Sequence, residues 1–98
     1  MTDADDASAE GTESVRAWLV ERSYDDRNLI TLVYATPDGA RAVRKERSAT
    51  VMHQQGSRVT AAVDVDSDAL SAVDAADRER YAGEADRMRD RHDPDDEV

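Results

Sequence analysis

With 98 residues, 23 acidic side chains against 13 basic ones and a formal net charge of −10, this chain is one small domain at most. It has no cysteine, which excludes disulfides and thiolate metal sites. No apolar run is long enough to span a bilayer, and the acidity argues against an anionic membrane surface, so a cytoplasmic location is expected.

Asp dominates the acids, Lys45 is the only lysine, and Ile30 is the only isoleucine. Phenylalanine is absent and most of the apolar content is Ala and Val, so the core is thin by the area rule of about 25 cal/mol per Å². A compact state with this charge is easier to hold where salt shortens the screening length to about 3 Å near 1 M. The composition therefore reads as that of a protein from a salt-rich cytoplasm.

Residues 1–14 (MTDADDASAEGTES) are acidic and without periodicity, and they read as a disordered tail with no basic, apolar leader. Val15–Ser23 alternates as a strand, with Trp18 and Val20 on one face and Ala17 and Leu19 on the other. A polar turn, Tyr24–Asn28, leads to the clearest strand, Asn28–Thr36, which is apolar on both faces. Thr36-Pro37-Asp38-Gly39 is a hairpin signal, with Gly39 in the left-handed position. Ala40–Arg47 returns antiparallel.

Residues 48–57 fit a helical turn or a short strand, and a turn-like connector ending at Gly56 is expected. Arg58–Val65 alternates cleanly, with Val59, Ala61, Val63 and Val65 inward. Asp66-Ser67-Asp68 opens a short helical segment that carries Leu70 and Val73. Asp74 then caps a longer helix that runs to about His92, with Tyr81, Ala85, Met88 and His92 on one stripe. Asp74 with Arg78, Glu84 with Arg87 and Asp86 with Arg89 are spaced to pair on its other faces. Residues 93–98 read as a second acidic disordered tail after the helix.

The expected fold class is α+β: an antiparallel sheet of about four strands, a β-meander, followed by a C-terminal helix packed on one face near Trp18 and Leu32. The domain spans 15–92, between tails 1–14 and 93–98.

The WLVERSYDDRNLITLVYAT segment, the PDG turn and the RERYAGEADRMRDRHDPDDE tail together resemble small conserved haloarchaeal proteins of uncharacterised function. The resemblance covers nearly the whole ordered part and implies a halophilic source. It implies no activity.

Chemistry-bearing motifs are scarce. Asp64-Val65-Asp66-Ser67-Asp68 opens like a calcium loop, but Ala69 stands where glycine is needed and Ala75 where a bidentate Glu is needed. His53 and His92 lack companions for a closed zinc site. Ser48 and Ser57 near His53 lack a third orienting group and an oxyanion hole. No metal, no cofactor and no catalytic residue is therefore assigned, and no enzyme is expected.

The anomaly is regional charge. Residues 15–63 carry eight cations against five carboxylates, whereas residues 64–98 carry thirteen carboxylates against five cations. Arg41, Lys45 and Arg47 share one parity of the third strand, with Val43. Arg41, Arg44, Lys45, Arg47 and Arg58 are the candidate partner-binding residues. Edge protection, or internal pairing with the acidic helix, is the plain explanation for such a row. The functional reading is a binding or assembly module that holds a protein partner, or associates weakly with itself, through the sheet. The alternative is a nucleic-acid-associated protein using the basic third strand, set back by the salt sensitivity of phosphate contacts and by the lack of an aromatic within the Arg row.

Folding is expected to strengthen as KCl rises from about 0.1 M toward molar levels, because screening relieves self-repulsion. Thermal melts followed by circular dichroism check this. A flat or falling melting temperature contradicts the salt argument.

Overall fold

The computed structural model describes residues 13–56 and 58–98. Its elements are β1 (Ser14–Tyr24), β2 (Leu29–Ala35), β3 (Arg41–Ser48), α1 (Ala49–Gln55), β4 (Ala62–Asp66), a 3₁₀ turn (Ser67–Ala69), β5 (Ser71–Ala72) and α2 (Ala75–Arg91). The architecture is α+β, with one antiparallel five-stranded sheet and a C-terminal helix. The strand order is β4-β1-β2-β3-β5. Only β1 to β3 form a meander, since β4 crosses back to pair with β1. The fifth strand has two residues, Ser71 and Ala72, opposite Ala42 and Arg41. Two residues carry no period, so the pattern could not announce them.

Each turn has a local cause. In the β1–β2 connection the Asp25 carboxylate accepts from the backbone N–H of Arg27 at 2.9 Å and of Leu29 at 3.1 Å, and Asn28 takes a positive φ of 68°. Those bonds, led by the one from Leu29, hold the Asp25 carboxyl below its ordinary range. In the β2–β3 connection Asp38 accepts from Thr36 Oγ1 at 2.6 Å and from Ala40 N at 2.9 Å. Residues 48–57 resolve into a helix in the described part. Ser48 caps α1 by accepting from Val51 N, and Gly56 closes it in the left-handed conformation.

β1 contains a bulge. Leu19 is opposite Tyr34, but Glu21 is opposite Val33, so Val20 is an extra residue. The strand therefore changes parity in its middle.

Two apolar layers flank the sheet. On one side Trp18, Val20, Val33, Ala35, Ala61 and Ala62 pack against Ala85, Tyr81 and Met88 of α2. On the other side lie Ala17, Leu19, Leu32 and Tyr34, flanked by Ile30, Val43, Val59 and Val63. The Tyr81/Ala85/Met88 stripe thus meets Trp18 as expected, but Leu32 belongs to the opposite side because its strand alternates. The expected inward set of β4 also divides: Ala61 and Ala62 are both buried on the α2 side, whereas Val59 and Val63 belong to the other layer.

α2 is tied to β1 by polar contacts. Tyr81 donates to Glu21 at 3.2 Å, and Arg80 reaches Glu21 at 3.4 Å and Asp77 at 3.2 Å. The pairs Glu84–Arg87 and Asp86–Arg89 form, at 2.6 and 2.8 Å. Asp74 sits at the N-cap without a side-chain cap bond, and Arg78 donates to Val73 O at 3.0 Å rather than pairing with Asp74.

Residues 93–98, read from composition as a disordered tail, here run along residues 59–62. Ala61 N donates to Asp96 O, Ala62 N to Pro94 O and Val98 N to Val59 O, each at 2.9 Å. Val98 packs into both apolar layers. Of the other expected tail, residues 1–12 lie outside the described residues, while Glu13 O accepts from Ser67 N and Ser14 begins β1.

Gly39 joins the hairpin to the helix. Its φ is +72°, and a Cβ there would stand 2.2 Å from Arg78 O and 2.7 Å from Ala82 N. Both neighbours are helix backbone, which cannot move aside alone. Gly39→Ala is expected to cost more than about 2 kcal/mol, combining left-handed strain with displacement of α2. Urea denaturation measures it; a loss under about 0.5 kcal/mol, as at ordinary surface positions, contradicts this packing.

Candidate functional site: the sheet face away from α2

Opposed residues on antiparallel neighbours share a face, so the register assigns every strand side chain to a side. The face away from α2 holds three cross-strand rows: Tyr24–Ile30–Arg47, Arg22–Leu32–Lys45 and Leu19–Tyr34–Val43. Arg41 follows on β3, opposite Ala72. Ala17 and Val63 extend the apolar part toward β4.

The charges are sorted by side. The five strands contain four carboxylates, Glu21, Glu46, Asp64 and Asp66, and the register puts all four on the α2 side. The other face carries Arg22, Arg41, Lys45 and Arg47 and no strand carboxylate. Among the described residues none of these four cations is paired with an Asp or Glu, whereas Arg16 on the α2 side pairs with Asp64 at 3.1 Å. Arg22 instead donates to Val98 O at 3.0 Å, and Arg47 donates to Glu46 O at 3.0 Å.

The centre of the face is a firm apolar floor. Tyr34 is 2% exposed and donates its hydroxyl to Thr60 O at 3.3 Å. Burial pushes the Tyr34 phenol up, while the nearby Arg22 and Arg47 guanidiniums pull the other way. Of the α2 side chains only Met88 reaches this layer. Tyr24 contrasts with Tyr34. It is 66% exposed, and its hydroxyl, 3.2 Å from Asn28 Oδ1, anchors the ring at the β1–β2 turn.

Of the five residues proposed from sequence, the structure brings Arg41, Lys45 and Arg47 together. Arg44 points to the α2 side, where it lines an open cleft of about 460 Å³ with Asp74, Asp77 and Tyr81. Arg58 stands before residues 59–62, 3.8 Å from Glu97. Two members escaped the sequence reading, Arg22 and Tyr24. By simple alternation both share the parity of Trp18 and would face α2. The bulge at Val20 reverses them, and no composition signal marks it.

Other chemistry is thin. His53 is exposed on α1, and His92 Nδ1 stands 3.6 Å from Asp96. Among the described residues no group of three or more His, Cys, Asp or Glu is arranged to hold a metal ion, and no helix is long and apolar enough to cross a membrane.

A model described as a family of unknown function, DUF7967, matches residues 11–98. The chain belongs to that family. No curated protein matches it, and no solved structure does. The family match covers every element of the sheet and both helices, so the two-sided charge pattern sits wholly within the family's domain.

Tyr34→Phe is expected to cost about 1 kcal/mol, the net worth of one hydrogen bond whose buried acceptor is left unmet. Chemical denaturation of the two proteins measures it. An unchanged midpoint contradicts the role of the Tyr34–Thr60 contact in holding the loop against the sheet.

Proposed function

We propose that this protein is a binding module without catalytic chemistry, and that its working surface is the sheet face away from α2, which receives an anionic partner chain. The observation that carries the reading is the sorting of charge: four cations without a strand carboxylate on that face, in a chain of net charge −10. Edge protection bears on β3 and also on Arg22, which lies past the Ser14–Trp18 stretch of β1 that pairs with β4. It does not account for the absence of strand carboxylates among these cations. Internal pairing does not explain the set, because among the described residues none of the four is paired with an Asp or Glu.

The same charges weigh against a second copy docking face to face, since like charges would be set opposite one another. They favour a partner of opposite sign, an acidic protein segment or a nucleic acid. The half-buried Ile30 and Val43 would add contact area less sensitive to salt than the ion pairs.

The test is a titration with two polyanions, polyglutamate and heparin, followed by amide chemical shifts. Shifts are expected to concentrate on β1–β3. The double variant Lys45→Glu/Arg47→Glu should weaken binding by at least about ten-fold, whereas Arg87→Glu/Arg89→Glu on the outer side of α2 should change it by less than about two-fold. Equal losses from the two double variants, or no binding of either polyanion, overturn the reading.

A further inference from the structure

Resting on that reading, we propose that the anionic partner is a single-stranded nucleic acid, laid across β1–β3 with its phosphates on Arg22, Lys45, Arg47 and Arg41 and one base stacked on Tyr24. Three observations on this face select that class.

The first is Tyr24. It is an aromatic ring, 66% exposed, in the same cross-strand row as Arg47 and one side-chain repeat from Arg22. An apolar ring held out in water by a contact at its hydroxyl end presents its π-face to a ligand. Every base offers a matching π-face, and stacking needs no particular sequence. Ile30 lies beside Tyr24 in the row and extends the apolar platform under the neighbouring base.

The second is the state of the backbone. An extended acidic peptide gains most of its affinity by adding a strand to a sheet edge. Here the cations and Tyr24 span three strands, with Arg22 and Tyr24 on β1 past its pairing with β4 and about 10 Å from β3. A peptide added to β3 would miss them, and one added to that stretch of β1 would miss Lys45 and Arg47. A peptide laid across the face would find the backbone groups of β1, β2 and β3 already spent on one another. A single-stranded nucleic acid asks nothing of the backbone. It needs cations for phosphates and ring faces for bases, and those are what this surface supplies.

The third is where the opposing charge stands. The strand carboxylates Glu21, Glu46, Asp64 and Asp66 are all on the α2 side of the sheet. α2 itself carries five carboxylates and five guanidiniums, so it adds no net charge behind the sheet. The sheet therefore stands between its own carboxylates and the four cations, which leaves the cationic face locally positive among the strand residues.

The test is fluorescence anisotropy with labelled oligo(dT), the matching duplex and a polyglutamate peptide, using the full chain. The single strand is expected to bind tighter than the duplex, because stacking requires unpaired bases. The slope of log K against log salt should be about −2 to −3, from roughly 0.7 per phosphate contacted by up to four cations. Tyr24→Ala should weaken oligo(dT) binding by about ten- to hundred-fold, and Tyr24→Phe should stay within about two-fold of the parent. Circular dichroism shows whether each variant remains folded, and Tyr24 is exposed enough that both should. Equal binding of single strand and duplex with no effect of Tyr24→Ala overturns this inference while leaving the polyanion reading standing. Tighter binding of polyglutamate does the same and assigns the face to an acidic protein. Absence of binding to all three polyanions removes both.

Discussion

The bulge at Val20 is the constraint on which the arrangement depends. One extra residue in β1 reverses the parity of everything after it. Before the bulge Trp18 faces α2; after it Glu21 does, and there it accepts from Tyr81 and meets Arg80. Without the extra residue Glu21 would stand beside Leu19 and Tyr34 on the cationic side, and Arg22 would be driven toward the alanine-lined contact with α2. There it would stand near Arg80, and Tyr81 and Arg80 would lose Glu21 as their partner. A single backbone irregularity thus ties the helix to the sheet and keeps the two signs of charge on separate sides. Val20 is itself buried beside Trp18, so the irregularity is fixed by packing.

Small residues shape the rest. Ala17, Ala35, Ala61, Ala62 and Ala85 are all buried, and each removes little apolar area from water. Their use is closeness. Alanines on both sides let α2 approach the sheet, and the same proximity brings the Gly39 backbone against Arg78 and Ala82. Close approach increases dispersion contacts that the missing large side chains would otherwise provide. It also makes the interface intolerant of added atoms, because backbone rather than a flexible side chain lies across the gap. Residues 93–98 supplement this core with a line of backbone hydrogen bonds to residues 59–62 and with Val98, which reaches both layers.

What the sequence disclosed follows from which features have a period. Alternation in Leu29–Ala35 and in the first half of β1 identified the strands and their two faces, and the Tyr81/Ala85/Met88 spacing identified the buried stripe of α2. The Pro37-Asp38-Gly39 signal located the hairpin, with Gly39 left-handed. Features without a period stayed hidden. β5 is two residues long, α1 is short enough to resemble a turn, and the return of β4 to β1 is a matter of topology that no local pattern records. Residues 93–98 looked unstructured because Asp and Glu dominate them, yet their contacts are made by backbone groups and by Val98, to which composition is blind. The candidate face was half legible for the same reason. Arg41, Lys45 and Arg47 lie on one regular strand and could be grouped by parity, while Arg22 and Tyr24 required knowledge of the bulge.

Gathering four cations on one face, none paired with an Asp or Glu among the described residues, carries a folding cost. Arg22 and Lys45 flank Leu32 in one row, and Arg47 lies in the next, so like charges are gathered within neighbouring rows of a small sheet. Repulsion among exposed charges is modest and screened by salt, but it is never stabilising. The chain had an inexpensive remedy available, because Glu46 lies one residue from two cations and on the other side of the sheet. Exchanging Glu46 with Lys45 would mix the signs without altering composition. Instead Glu21 meets Arg80 and Tyr81 and Asp64 meets Arg16 on the α2 side, while among the described residues the four cations meet no Asp or Glu. That segregation, which the strand register imposes, is the ground on which the proposed binding of an anionic partner stands.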